Sequence, residues 1–107
     1  MKVVWVGNKA ELASNKHFNG KYNQADMTKL VIKVIKNATH VGRSDRANPG
    51  HAISKIVWGK VDSVEYAIVM DGDKIKKNIV EVVSFYDVSL QSRENKINRF
   101  AMKQISK

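Results

Sequence analysis

The sequence lacks cysteine, which excludes a disulfide scaffold, a thiol nucleophile and any zinc site with cysteine ligands. Carboxylates are scarce, with 10 Asp plus Glu, and they are scattered, whereas metal-dependent phosphodiester hydrolysis requires them clustered. No apolar run approaches the ~18 residues that a membrane span requires. The three histidines are not spaced as zinc ligands on one helix. Positive charge, in contrast, is abundant.

The 19 Lys plus Arg give the chain a formal net charge of +9. The 107 residues correspond to one domain, which we take as residues 1–107. A small domain of this charge attracts polyanions at long range. Nucleic acid is the commonest such partner, and an anionic membrane surface or an acidic protein is the alternative. The cations are dispersed along the chain, so the charge belongs to a folded domain and not to a polybasic arm.

The first half of the sequence predicts helices and the second half predicts strands. Apolar residues from Met27 to Ile35 recur with the 3.6-residue period of an amphipathic helix, and Asn23 or Asp26 can cap its N-terminus. A shorter helix is expected near residues 9–15 and a C-terminal helix or frayed tail after residue 92. β-Branched and aromatic runs predict strands at residues 53–58, 64–70 and 78–86, with a short strand at 39–42. We therefore expect an α+β fold, with N-terminal helices packed on one face of a four- to five-stranded antiparallel sheet.

The last predicted strand carries Ser84 and Tyr86, which alternation places side by side on one sheet face. A hydroxyl beside a phenol can bind a phosphate and stack on a base. His17 follows Lys16 just before the main helix. Imidazole suits proton transfer near neutral pH, and the lysine can hold a phosphate. We take the sheet face opposite the helices as the RNA-binding surface.

A second basic group surrounds the loop that contains the single proline. Arg43 and Arg46 can hold phosphates with two hydrogen bonds each. His51 follows a glycine, which allows a ligand to approach closely, and it shares a strand face with Lys55 if the strand begins early. These four residues are candidates for RNA binding, and His51 is a second candidate for acid–base chemistry.

The remaining chemistry that these residues can perform is RNA cleavage without a metal or other cofactor. RNA carries its own nucleophile, the 2′-hydroxyl. The enzyme supplies a base for that proton, an acid for the leaving 5′-oxygen and cations for the phosphorane. A histidine or two with lysine or arginine meet these needs.

The order of these motifs resembles the nuclease domains of the colicin D type. More broadly, it is similar to the superfamily of barnase, EndoU, colicin and RelE-like toxin ribonucleases. Lys16 and His17 match the catalytic Lys-His pair of the family, and Ser84 with Tyr86 match its Ser-x-Trp strand, with Tyr in place of Trp. Ser14 stands where the family has a further lysine.

The resemblance implies a ribonuclease toxin that cleaves transfer RNA and forms a cyclic phosphate. It implies action in the cytoplasm of a target cell, delivery as the C-terminal part of a secreted carrier such as a contact-dependent inhibition protein, and an acidic immunity protein as partner. Charge complementarity would make that association fast. Three alternatives stay open at this point: a non-catalytic RNA-binding module, a ribosome-dependent messenger RNA nuclease and an interaction domain for an acidic protein.

Overall fold

A computed structural model describes residues 2–5, 7–44, 54–71, 79–88 and 90–105. Within these ranges, the side chains of Lys9, His17, Ser44, Ser54, Asp71 and residues 90–92 are not described. The elements in chain order are β1 (Lys2–Trp5), α1 (Lys9–His17), α2 (Gln24–Lys36), β2 (Ala38–Ser44), β3 (Ser54–Val61), β4 (Val64–Asp71), β5 (Ile79–Asp87), α3 (Leu90–Arg99) and β6 (Lys103–Gln104).

The strands form one sheet in the order β1-β5-β4-β3-β2-β6. The α+β class is therefore confirmed. The expectation of an all-antiparallel sheet of four or five strands is wrong in two details. β1 pairs parallel with β5, beginning at Lys2 opposite Ile79. β6 adds a sixth strand, antiparallel to β2. The central strands β2 to β5 form the expected antiparallel meander.

The main helix, α2, forms where the apolar stripe predicts it. The side-chain Oδ1 of Asn23 accepts a hydrogen bond from the backbone N–H of Asp26 at 2.8 Å, so Asn23 is the N-cap. Met27, Val31 and Val34 are completely buried. They pack with α1 on one side of the sheet, against a core that includes Phe85. We call this side, which α1 and α2 cover, the first face.

The opposite side, the second face, is covered by α3 and the residues that follow it. Ile97, Phe100 and Met102 pack there against Ile56 and Trp58. The backbone N–H of Arg43 donates to the carbonyl of Phe100 at 2.8 Å, which ties this segment to β2. α3 is therefore the C-terminal helix, one of the two alternatives that the sequence offered after residue 92, but it packs on the second face and not beside the N-terminal helices. α3 lies on the face that we had predicted to be open for RNA.

Gly59 lets α2 approach β3 closely. A Cβ atom at this position would clash with the backbone carbonyl of Val34. Because the obstacle is backbone, a small side-chain rotation cannot relieve it. We expect Gly59→Ala to lower the free energy of unfolding by about 1–3 kcal/mol, as overpacked cores do. Urea denaturation measures this change.

Lys60→Ala is the matched control, because Lys60 is exposed on the same strand. It should change the free energy of unfolding by less than about 0.5 kcal/mol. Equal stabilities of the two variants would contradict the close packing of α2 on β3.

Candidate nucleic-acid interface

The Lys-His pair lies in the last turn of α1, on the first face. Lys16 is exposed, and the backbone of His17 ends the helix. The next residue, Phe18, packs its ring against Phe85 and Tyr66, with centroid distances of 5.4 and 6.0 Å. These contacts fix the backbone beside His17 against the first face of β4 and β5.

Ser84 and Tyr86 project from the second face. In the register they lie opposite Val69 and Ala67, which belong to the second-face core, whereas Phe85 between them points to the first face. A bulge at this point of β5 shifts the register, so that Val82 also points to the first face. The prediction that Ser84 and Tyr86 share one face of the sheet is therefore confirmed. The sheet, however, separates that face from α1.

The ring of Tyr86 is covered by α3. The Nζ of Lys96 lies 4.3 Å from the centroid of this ring, a cation–π contact. Tyr86 is half-buried and belongs to the rim of the second-face core. A base that stacked on the same side of this ring as Lys96 would have to displace it. The role of Tyr86 in stacking on a base stays a prediction.

Burial also changes the acidity of two tyrosines. It raises the pKa of Tyr86 above the ordinary value of 10.0, and the Arg99 guanidinium opposes this effect. Burial likewise raises the pKa of Tyr66, with smaller contributions from the phenol of Tyr22 and the carboxylate of Asp87. In both cases the folded protein favours the protonated phenol.

These shifts predict a loss of stability at high pH. Below pH 10.0, the folded and unfolded states both keep the phenols protonated, so the full stabilisation is present. Above this pH the unfolded chain releases its protons first, and the free energy of unfolding falls as pH rises through the folded-state pKa values. Urea denaturation between pH 9 and 11 should show a shallower decline for Tyr86→Phe than for the unmodified chain. An identical pH dependence in both proteins would contradict the raised pKa of Tyr86.

The register brings two of the predicted RNA-binding residues together. Arg43 on β2 lies directly opposite Lys55 on β3, and both are exposed. Lys103 on β6 lies opposite Val41, two residues before Arg43 on the same face. Directly opposed residues have Cβ atoms about 4.5–5.5 Å apart, and like charges there are destabilising. We call Arg43, Lys55 and Lys103 the edge cations.

The edge cations have no acidic partner among the residues that the structure describes. In those ranges, the ion pair within 4.0 Å joins Arg93 to Glu65. On the next strand of the sheet, β4, the buried Met70 lies opposite Lys55. An apolar side chain therefore borders the edge cations on the side of β4. The edge cations lie on the first face, on which α2 also packs, and they are suited to holding a phosphate group.

The predicted residues Arg46 and His51 lie outside the described residues. The chain between β2 and β3 carries both of them. The prediction that His51 shares a strand face with Lys55 therefore also falls outside, since the described part of β3 begins at Ser54.

The second face contains a polar group that the sequence did not indicate. Arg93 on α3 donates to Glu65 at 2.8 Å, and its guanidinium lies 5.3 Å from the centroid of the Trp58 ring. The ring of His40 lies 5.6 Å from the same tryptophan, and its Nδ1 is 2.9 Å from the Thr39 hydroxyl. The indole Nε1 of Trp58 is buried without a hydrogen-bond partner. The register of β2 and β3 brings His40 and Trp58 together, and α3, far along the chain, adds Arg93.

Two classes of feature are not found in the described ranges. No group of three His, Asp or Glu residues there is arranged to hold a metal ion. None of the helices there has the length and apolar character needed to cross a membrane.

Comparison of the chain with protein-family models, with characterised proteins and with solved structures finds no match. The resemblance to colicin-type ribonucleases therefore stays a prediction from the residues.

Proposed function

We propose that the protein binds RNA and cleaves it without a metal ion. The observation that carries this proposal is the cross-strand pair of Arg43 and Lys55, two exposed cations with no described carboxylate between them. Such a pair costs stability in the free protein, and a bound phosphate would offset that cost. The net charge of +9 would supply the long-range attraction.

The reaction that fits is attack of the RNA 2′-oxygen on the adjacent phosphorus. A base accepts the 2′-hydroxyl proton, the bond from phosphorus to the 5′-oxygen breaks, and an acid protonates the leaving oxygen. The products are a 2′,3′-cyclic phosphate and a 5′-hydroxyl end. His17 and His51 are the proposed acid and base, and Lys16 would stabilise the phosphorane. Three strand spacings, about 14 Å, separate β5, on which α1 packs, from Arg43 on β2, so Arg43 and Lys55 would hold neighbouring phosphates of the RNA. The position of Ser84 on the second face argues against a contact of its hydroxyl with a phosphate bound near His17.

Cleavage of a synthetic RNA in EDTA tests the proposal. We expect a ladder whose 5′ fragments end in cyclic phosphate, at the same rate with EDTA as with Mg²⁺. Loss of cleavage on chelation would contradict the metal-independent mechanism. A 2′-deoxy substitution at the cleaved nucleotide provides the control, because it removes the nucleophile and should abolish the reaction.

The cellular substrate can be identified by inducible expression in bacteria. We expect growth arrest and discrete transfer RNA fragments on a gel of total RNA. A messenger RNA pattern that requires translating ribosomes would instead indicate the ribosome-dependent variant. Coexpression of an acidic immunity protein should suppress both the arrest and the fragments, because it would cover the same cations.

RNA binding without cleavage is the second candidate, and the separation of α1 from Ser84 and Tyr86 by the sheet favours it. In that case His17→Ala would leave the affinity for RNA unchanged and no product would form. Charge changes at the edge cations would still weaken binding, with a reduced dependence on salt.

A further inference from the structure

A polar cleft of about 280 Å³ opens between α1 and the N-terminus of α2. Its floor includes Ala10 and Ser14, which are both buried. Glu11, Asn15 and Asn23 line it and are exposed. Pockets for drug-sized ligands measure about 300–1,000 Å³, so this cleft fits one flat ring system of smaller size.

The turn that closes the cleft is fixed to α1. The carbonyl of Ser14 accepts hydrogen bonds from the backbone N–H groups of Phe18 and Gly20, at 3.0 and 2.9 Å. The Ser14 hydroxyl donates to the carbonyl of Tyr22 at 2.6 Å. Gly20 has a φ of 68°, a left-handed conformation that glycine adopts without strain. The cleft is therefore preorganised, and binding there would require little ordering of the chain.

Tyr22 supplies an aromatic surface at this cleft. It is 40% exposed, as are Leu12 and Val64 to a similar extent, and it is the aromatic residue among those that line the cleft. Its ring meets Phe18 edge to face, with centroids 5.6 Å apart. Phe18 in turn packs on Phe85 in the core. An exposed ring anchored in this way is a suitable platform for stacking a base.

Two polar groups of the cleft, Asn23 and Glu11, have restricted hydrogen-bonding roles, whereas the amides of Asn15 and Gln24 can both donate and accept. The Oδ1 of Asn23 already accepts the hydrogen bond from Asp26, which leaves its Nδ2 as a donor. The carboxylate of Glu11 is an acceptor only. On its Watson–Crick edge, guanine presents one acceptor, O6, beside two donors, N1–H and N2–H. Glu11 and Asn23 both line the cleft. The two oxygens of a carboxylate can accept from N1–H and N2–H of guanine while an amide N–H donates to O6, whereas adenine, cytosine and uracil each offer only one donor atom on this edge.

We infer that this cleft binds a guanine base of the RNA, stacked on Tyr22 and recognised by Glu11 and Asn23. The inference rests on the proposed function and names the nucleotide that the protein selects. Lys16 and Lys21 flank the cleft in sequence and are exposed, so a phosphate attached to this guanosine would meet positive charge. Lys16 belongs to the Lys-His pair, which follows Asn15 in the last turn of α1. Tyr22 would thereby take the stacking role that the sequence assigned to Tyr86.

Titration of the full chain with nucleoside 5′-monophosphates tests the inference apart from catalysis. We expect GMP to bind at least tenfold more tightly than AMP, CMP or UMP, measured by calorimetry and by amide chemical shifts of residues 10–24. Glu11→Gln should weaken GMP binding about tenfold and leave AMP binding unchanged. Tyr22→Ala should weaken binding of GMP about tenfold or more, because stacking on one aromatic side chain contributes about 1–3 kcal/mol per base. Tyr22→Phe should retain most of the affinity.

Glu94→Gln is the matched control, since Glu94 is exposed on α3 and the charge change is the same. Circular dichroism melts establish that each variant is folded. Equal affinity for the four nucleotides, or undiminished GMP binding by Glu11→Gln, would overturn the inference. RNA cleavage without a preference for guanosine would overturn the guanine cleft and leave the ribonuclease proposal standing. Selective GMP binding by a protein that cleaves no RNA would overturn the ribonuclease proposal and leave the guanine cleft standing.

Discussion

Reversing the charge at Arg43 and Lys55 together should weaken RNA binding at least about a hundredfold near physiological salt. The double variant Arg43→Glu/Lys55→Glu replaces two adjacent phosphate contacts by repulsion, and both side chains are exposed, so the fold should survive. Each phosphate contact to a single strand contributes about 0.7 to the slope of log affinity against log salt. The slope should therefore fall by about 1.4 when both contacts are lost. Fluorescence anisotropy of a labelled RNA over a salt series measures both quantities.

A control of equal charge separates this local effect from the general attraction of a basic protein. Lys2→Glu/Lys29→Glu also lowers the net charge of +9 by four units, two for each substitution, but its residues are exposed on β1 and α2. We expect it to weaken binding about tenfold or less, since it changes only long-range electrostatics. If the two double variants lose the same affinity and the same salt slope, Arg43 and Lys55 are not a phosphate site.

The sequence was informative about elements whose formation depends on local pattern. The stripe from Met27 to Ile35 predicted α2, and its cap at Asn23 was one of two candidates. The meander from β3 to β5 followed from β-branched and aromatic runs. β1 was not predicted, because it is four residues long and pairs with a strand from the far end of the chain. Its existence depends on tertiary contacts, such as the 2.9 Å hydrogen bond from the Trp5 indole to Thr28.

Predicting the candidate site required long-range information that the sequence does not carry. Alternation places Ser84 and Tyr86 on one face, but only the positions of α1 and α3 determine what that face contacts. Arg43 and Lys55 were each predicted to bind RNA. Their position directly opposite each other depends on the register between β2 and β3, which the sequence does not determine. Lys103 lies in the C-terminal segment for which the sequence predicted a helix or a frayed tail, so its pairing with β2 was not predicted. Tyr22 gave no signal, because the exposure of one aromatic residue in a turn is a property of the packed molecule.

The described surface divides the predicted features between the two sides of the sheet. The end of α1, the cleft between α1 and α2 and the edge cations belong to the first face, on which α1 and α2 pack. Ser84 and Tyr86 belong to the second face, where Lys96 covers the phenol. RNA bound beside the end of α1 would lie on the opposite side of the sheet from Ser84 and Tyr86. The resemblance to colicin-type enzymes thus separates into two parts that substitutions can test independently.

His17→Ala and Ser84→Ala should consequently differ greatly in their effect on RNA cleavage. Removal of a general acid or base typically lowers the rate of the chemical step by about 10²–10⁴-fold, and we expect His17→Ala to fall in this range. Ser84→Ala should keep the rate within about threefold, because this hydroxyl lies on the opposite side of the sheet from α1 and its loss is a small change at a half-buried position. Single-turnover cleavage with saturating protein separates these effects on chemistry from effects on binding.

His51→Ala tests the second acid–base candidate in the same assay. If both histidines act, one as base and one as acid, each single variant should lose most of the rate, and the double variant should lose little more, because groups that act as a unit are not additive. The pH profile of cleavage should lose one limb in each single variant. Full activity of His17→Ala would remove the Lys-His pair from the mechanism, and a strong loss in Ser84→Ala would show that RNA reaches the second face after displacing α3.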